Sequence, residues 1–111
     1  MKFNDFIAEH GTRSKHAEGA KMPLNDQGDY LLIVGSDSDI GQKAQWDIVR
    51  LDKSKDDMIE KMRNIYAGFV IGWSLDEKIG HKKVVELLKE VPSLLAAIIE
   101  FTQNDGNFIK P

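Results

Sequence analysis

Apolar residues are densest between Trp73 and Phe108, and their spacing there has the period of a helix face. Val84, Val85, Leu87, Leu88 and Val91 recur at steps of three and four, which puts them on one side of a helix. Leu94, Leu95, Ile98, Ile99 and Thr102 repeat the pattern. Pro92 stands between the groups; proline breaks a helix interior but fits a first turn. The pattern predicts a helix pair over 81–91 and 92–103, stopped by the turn cluster Asn104-Asp105-Gly106-Asn107. Phe108 and Ile109 are expected to fold back onto the apolar face, and Trp73 to meet it from the other side. The expected core includes Ile33, Trp73, Leu87, Leu88, Leu95, Ile98 and Phe108.

Upstream, Ala44, Ile48, Leu51, Met58, Met62, Ile65 and Phe69 also follow helical steps. The charge run Asp52 to Asp57 interrupts them without changing their register. This predicts one long or kinked helix within 37–73. Its last part, 67–73, fits either buried helical turns or a short strand, with Gly68 and Gly72 allowing close packing. Trp46 and Tyr66 fall off the stripe and are expected to be exposed. With Met58 and Met62, which suit adaptable apolar contacts, they are the candidate partner or oligomer contacts.

The remaining pattern is shorter in range. Tyr30-Leu31-Leu32-Ile33-Val34 is aromatic and β-branched, and the turn cluster Asn25 to Asp29 precedes it. A weaker strand carries Met22 and Leu24, so 20–35 reads as a β-hairpin. Pro23 cannot donate to a ladder, which assigns its strand to an edge. Phe3, Phe6 and Ile7 make a short amphipathic patch that Gly11 ends. Thr12 to Gly19 is polar and is expected to be a mobile loop with solvated His10 and His16. The fold class is therefore predominantly α-helical with a small N-terminal hairpin, α+β. It forms a single domain over 1–111 with 1–19 partly mobile and a helix pair and return over 81–108.

Composition narrows the function. A chain of 111 residues supports one modest core. A net charge of −3 argues against a general nucleic-acid binder. The absence of cysteine removes disulfides, zinc–thiolate sites and thiol catalysis. No stretch approaches the roughly 20 apolar residues of a membrane helix.

One segment invites a chemical reading. Gly35-Ser36-Asp37-Ser38-Asp39 leaves a strand and starts a helix. Ser36 and Asp37 are placed to cap free amides, and Asp37 and Asp39 suit the positive helix end. A metal site lacks a third carboxylate, and two aspartates repel a phosphate. The segment is therefore expected to be a cap built from Ser36, Asp37 and Asp39, with no cofactor, metal or catalytic group.

Four segments in order resemble a family, the tail assembly chaperones of long-tailed bacteriophages and prophages. They are Met22-Pro23-Leu24 with Asp26 and Gly28; Gly35-Ser36-Asp37-Ser38-Asp39 with Lys43 and Ala44; Val70-Ile71-Gly72-Trp73-Ser74; and Leu87-Leu88 with Pro92, Ile98, Asn107 and Phe108. The likeness spans 20–110 and departs at Ile79-Gly80-His81, where the family favours a Thr-x-Glu cap. The resemblance implies a non-catalytic assembly factor that binds the tape measure protein and the tail tube protein. It also implies residence in the cytoplasm of the bacterial host, departure before the virion matures, and in some members a longer frameshifted form. Amphipathic helices and the need for later displacement lead to the expectation of a homo-oligomer, with no nucleic-acid or membrane partner. Two other readings compete. Ile33-Val34-Gly35-Ser36-Asp37-Ser38-Asp39 also resembles the phosphate-binding strand–turn of the carboxyaminoimidazole ribonucleotide mutase family, though no βαβ units follow it. A generic helical protein-binding or regulatory module is the broader alternative.

Overall fold

The computed structural model describes residues 1–52 and 57–109. The elements in chain order are α1 (Phe3–His10), α2 (Arg13–Glu18), β1 (Ala20–Pro23), β2 (Tyr30–Ile33), α3 (Asp39–Val49), α4 (Met58–Ala67), β3 (Val70–Trp73), α5 (His81–Glu90) and α6 (Ser93–Gln103). A 3₁₀ turn over Asp105–Asn107 closes the described chain.

The sheet has the order β1-β2-β3 and is antiparallel throughout. The β1–β2 turn is made by Asn25, whose Oδ1 accepts from the amides of Gln27 and Asp29 at 3.0 and 3.2 Å. Gly28 supplies the left-handed residue, φ +91°, that such a turn requires. Pro23 lies on the edge strand, where its missing N–H costs no ladder bond. β2 is central, and its alternation buries Leu31 and Ile33 completely. Those side chains meet Val70 of β3, Val84 and Leu88 of α5, and Ile98 of α6 in one apolar cluster. α4 packs on α3, α5 and α6.

The long or kinked helix expected within 37–73 is two helices, and of the two readings of 67–73 the strand is the one present. α3 ends at Val49, α4 starts at Met58, and 70–73 is a strand. Part of the charge run, 53–56, lies outside the described residues. The central strand decides the end of this stretch: β2 has a second edge, and β3 pairs with it, satisfying backbone groups that would otherwise be buried unpaired. Gly72 faces Leu32, where an added Cβ would sit 3.5 Å from that side chain.

The N-terminal segment also differs from expectation. The supposed mobile loop contains α2, and His16 on it is fully buried. By contrast α1 buries none of its residues. The radius of gyration, 15.2 Å, exceeds the value of about 13 Å usual for this length, consistent with a helix standing off the core.

Candidate functional site

Two regions concentrate the unusual features. The first is the turn from β2 into α3. Ser38 is the N-cap of α3, its Oγ accepting from the Gly41 amide at 3.0 Å while donating to the Gly35 carbonyl at 2.6 Å. The cap is therefore Ser38 and not Ser36 or Asp37; the Asp37 carboxylate and the Ser36 backbone are engaged elsewhere. The Ser36 amide donates to the Thr102 carbonyl at 3.3 Å. The Asp37 carboxylate accepts from the Thr12 hydroxyl. Asp39 lies in the first turn, as expected for the helix dipole, and pairs with Arg13 at 3.0 Å.

His16 sits under this turn. Its Nδ1 accepts from the Asp37 amide at 3.0 Å, which assigns the ring proton to Nε2. Nε2 lies 3.3 Å from Asp105 Oδ1 but is not aligned for a hydrogen bond. The ring stacks on Phe108 with centroids 4.8 Å apart. Gly35 is required by this packing: a Cβ there would stand 2.1 Å from His16 Nδ1. A lone histidine in a polar stretch carries no periodic signal, so nothing in the pattern around His16 marks it for burial. Its only sequence hint is the glycine that ends the strong strand.

This turn does not sit as it would in a doubly wound nucleotide enzyme. Its strand is flanked by antiparallel partners on both sides, and the amides of Asp37 and Gly41 are taken by side chains of the same chain. Among the described residues no group of three or more His, Asp or Glu is arranged to hold a metal.

The second region is a groove of about 460 Å³ between α3, α4 and α6. Its walls carry Ile48 and Val49 from α3, Met62 and Tyr66 from α4, Phe69, and Ile99 from α6. Ser36, Gln45, Thr102 and Gln103 complete its lining. Val49 is 73% exposed; Trp46 on α3 and Ile59 on α4, which are not part of the lining, are each 64% exposed. Of the expected contacts, Trp46 is exposed and Met58 and Met62 are partly buried. Tyr66 is not an exposed contact; it is buried in the groove wall and stacks on Phe69 with centroids 5.0 Å apart. It lies off the helical stripe, but α4 packs on three helices, so more than one of its faces is covered. Burial pushes its hydroxyl pKa above the ordinary tyrosine value. The apolar exposure of Val49 and Ile59 was not anticipated.

The expected core residues divide. Ile33, Leu88, Ile98 and Phe108 are buried. Leu87 and Leu95 are half-buried at the cluster's margin. Trp73 is also half-buried, its indole N–H donating to the Glu77 carbonyl at 2.8 Å.

Together the fold and these two regions define a small α+β domain with a latched turn at one place and an open apolar helical groove at another. Comparison of the chain with protein-family models, curated proteins and solved structures gives no match. Among the described residues no helix is long and apolar enough to cross a membrane.

Proposed function

We propose that the protein is a non-catalytic tail assembly chaperone that receives apolar helical segments of the tape measure protein in the α3–α4–α6 groove. The observation that carries the reading is that groove, with Val49 exposed on its wall, and with Trp46 and Ile59 exposed on the same two helices, α3 and α4. Apolar exposure of this kind on a small chain marks a surface that another chain covers, and a helix laid in a groove is a common way to cover it. The ordered resemblance over 20–110 supplies the identity of the client and adds the tail tube protein as a second one. The hairpin and the helix pair are the scaffold that holds the groove open.

A client of this kind is a long helical chain with apolar stripes that aggregates when unpaired. An acidic chaperone, net charge −3, keeps the complex soluble. Displacement during tail assembly calls for contacts that are individually weak and multiplied by self-association. The chaperone then works in the bacterial cytoplasm and is absent from the finished virion.

The test is co-expression with a tape measure fragment that is insoluble alone. The chaperone is expected to bring it into the soluble fraction, and a variant with Trp46→Glu and Val49→Glu to fail. Equal rescue by both variants, or none by the native chain and a C-terminally extended form, overturns the reading. Light scattering over a concentration series is expected to show species larger than a monomer; a monomer throughout removes the oligomer from the proposal.

A further inference from the structure

A separate hollow of about 360 Å³ lies between the β3–α5 connection and α5. Its apolar lining is Trp73, Leu75 and Leu87, all half-buried. Its remaining lining is charged and one-sided: Asp76, Glu77, Glu86 and Glu90 against the single cation Lys83. Lys83 lies 3.5 Å from Glu77 and 3.8 Å from Glu86. Among the described residues, the carboxylates of Asp76 and Glu90 have no ion-pair partner. Glu90 is the last residue of α5, where the helix dipole already disfavours a carboxylate. Lys82 and Lys89 line a neighbouring hollow on the α4 side of α5, which Glu86 and Glu90 also line, so of the four carboxylates only Asp76 and Glu77 face this hollow alone.

We propose that this hollow docks a basic amphipathic segment of a partner protein, an apolar side chain seated on Trp73, Leu75 and Leu87 with flanking lysine or arginine against the carboxylates. The charge imbalance selects the occupant. An acidic segment would meet four carboxylates against one lysine in the lining, and a neutral one would leave Asp76 without a counter-charge, whereas a basic one pairs Asp76 and relieves Glu90 at the unfavourable end of α5. The indole of Trp73 adds a face on which a cation is attracted. Lys83, bridging two carboxylates at long range, already holds a cation in this position. The inference stands on this hollow alone, whatever fills the α3–α4–α6 groove.

The experiment uses the full chain with Trp46→Phe, so that Trp73 is the only indole. The probe is a labelled helical peptide of about 14 leucine and lysine residues, four turns; its counterpart carries glutamate in place of lysine. Saturable binding of the basic peptide with a blue shift of Trp73 is expected. Adding Glu86→Gln and Glu90→Gln is expected to weaken it about tenfold, two charge contacts of roughly 0.7 kcal/mol each. Removing two charges elsewhere, with Glu9→Gln and Glu18→Gln, is expected to leave it nearly unchanged. Equal binding of the acidic peptide overturns the proposal, as does binding that leaves the Trp73 spectrum unmoved. Equal weakening by the two charge-removing variants overturns it too, because the attraction would then be to net charge. Loss of client rescue by the groove variant does not bear on this result, since Trp46 and Val49 do not line the hollow.

Discussion

The turn around His16 and the groove around Val49 are both built from α3, yet they treat exposure in opposite ways. At the turn, a fully buried polar ring is fixed by a backbone amide, a stacked phenyl ring and a glycine with no room for a side chain. At the groove, Val49 is left open at 73%, and Trp46 on the same helix at 64%. A polar group enclosed by its own chain holds elements together, because leaving it unpaired costs about 1–3 kcal/mol. An apolar group left in water costs the fold little when it is changed and gains only when something covers it. The contrast assigns stability to the first region and recognition to the second.

The strongest way to break this contrast is Gly35→Ala. The new Cβ would lie 2.1 Å from His16 Nδ1 and 2.5 Å from Cγ. The packing has to open, and a loss of about 3 kcal/mol is expected, the upper end for an overfilled site. Urea unfolding should show a lower midpoint with an unchanged slope. His16→Ala is next. It removes the ring from Phe108 and leaves the Asp37 amide without its acceptor, an expected cost of about 2–3 kcal/mol. The two changes together should cost less than their sum by about 1 kcal/mol, since the alanine removes the atoms that the Gly35 substitution strikes. Only the clash with His16 Cβ, at 2.9 Å, remains in the double variant. Strict additivity would show that Gly35 is not there for His16.

Ser38→Ala removes one end of the same turn. The hydroxyl both caps the Gly41 amide and donates to Gly35. Loss of a cap costs about 1 kcal/mol, and the thermal midpoint should fall accordingly. Ser36→Ala is the control, since its side chain caps nothing.

The unequal legibility of these regions has a physical cause. Periodic burial reports itself in a sequence, and the helices α5 and α6 are readable because each buries one face, whereas β2 is readable from its aromatic and β-branched run after a turn cluster and not from any alternation. The cap lies one or two residues beyond Ser36 and Asp37 because all of Ser36, Asp37 and Ser38 are competent caps; the one that serves depends on where the helix starts, and the Asp37 carboxylate is taken by Thr12. β3 was ambiguous because Val70 and Ile71 sit between glycines whose use depends on a neighbouring strand distant in sequence. His16 was misjudged as solvated, since what buries it, Phe108 and Gly35, comes from two other parts of the chain. Tyr66 is legible only with the neighbours in hand: a single stripe predicts one covered face, and α4 is covered by α3, α5 and α6 together.

Tyr66 gives a pH-dependent probe of the groove wall. Its folded pKa is raised by burial, so the folded state holds the phenolic proton to higher pH than the unfolded chain. Its contribution is therefore complete below the ordinary tyrosine pKa of 10.0. That contribution is lost as pH rises from there through the folded value. Tyr66→Phe should flatten that part of an alkaline unfolding curve. An identical alkaline slope in both proteins would mean that the hydroxyl is hydrated.

The smallest expected effect on stability carries the most information. Trp46→Glu with Val49→Glu changes two side chains that are mostly in water, and such surface changes usually move stability by no more than about 0.5 kcal/mol. Glutamate is also a good helix former, so α3 should persist with an unchanged far-ultraviolet spectrum. If the groove is a recognition surface, these two charges desolvate badly under an apolar client and rescue should disappear. A fold intact and a rescue lost would separate the two regions of α3 by function. Destabilisation comparable to that of His16→Ala would place Trp46 and Val49 in the structural part of the helix, and the contrast between latch and groove would no longer stand.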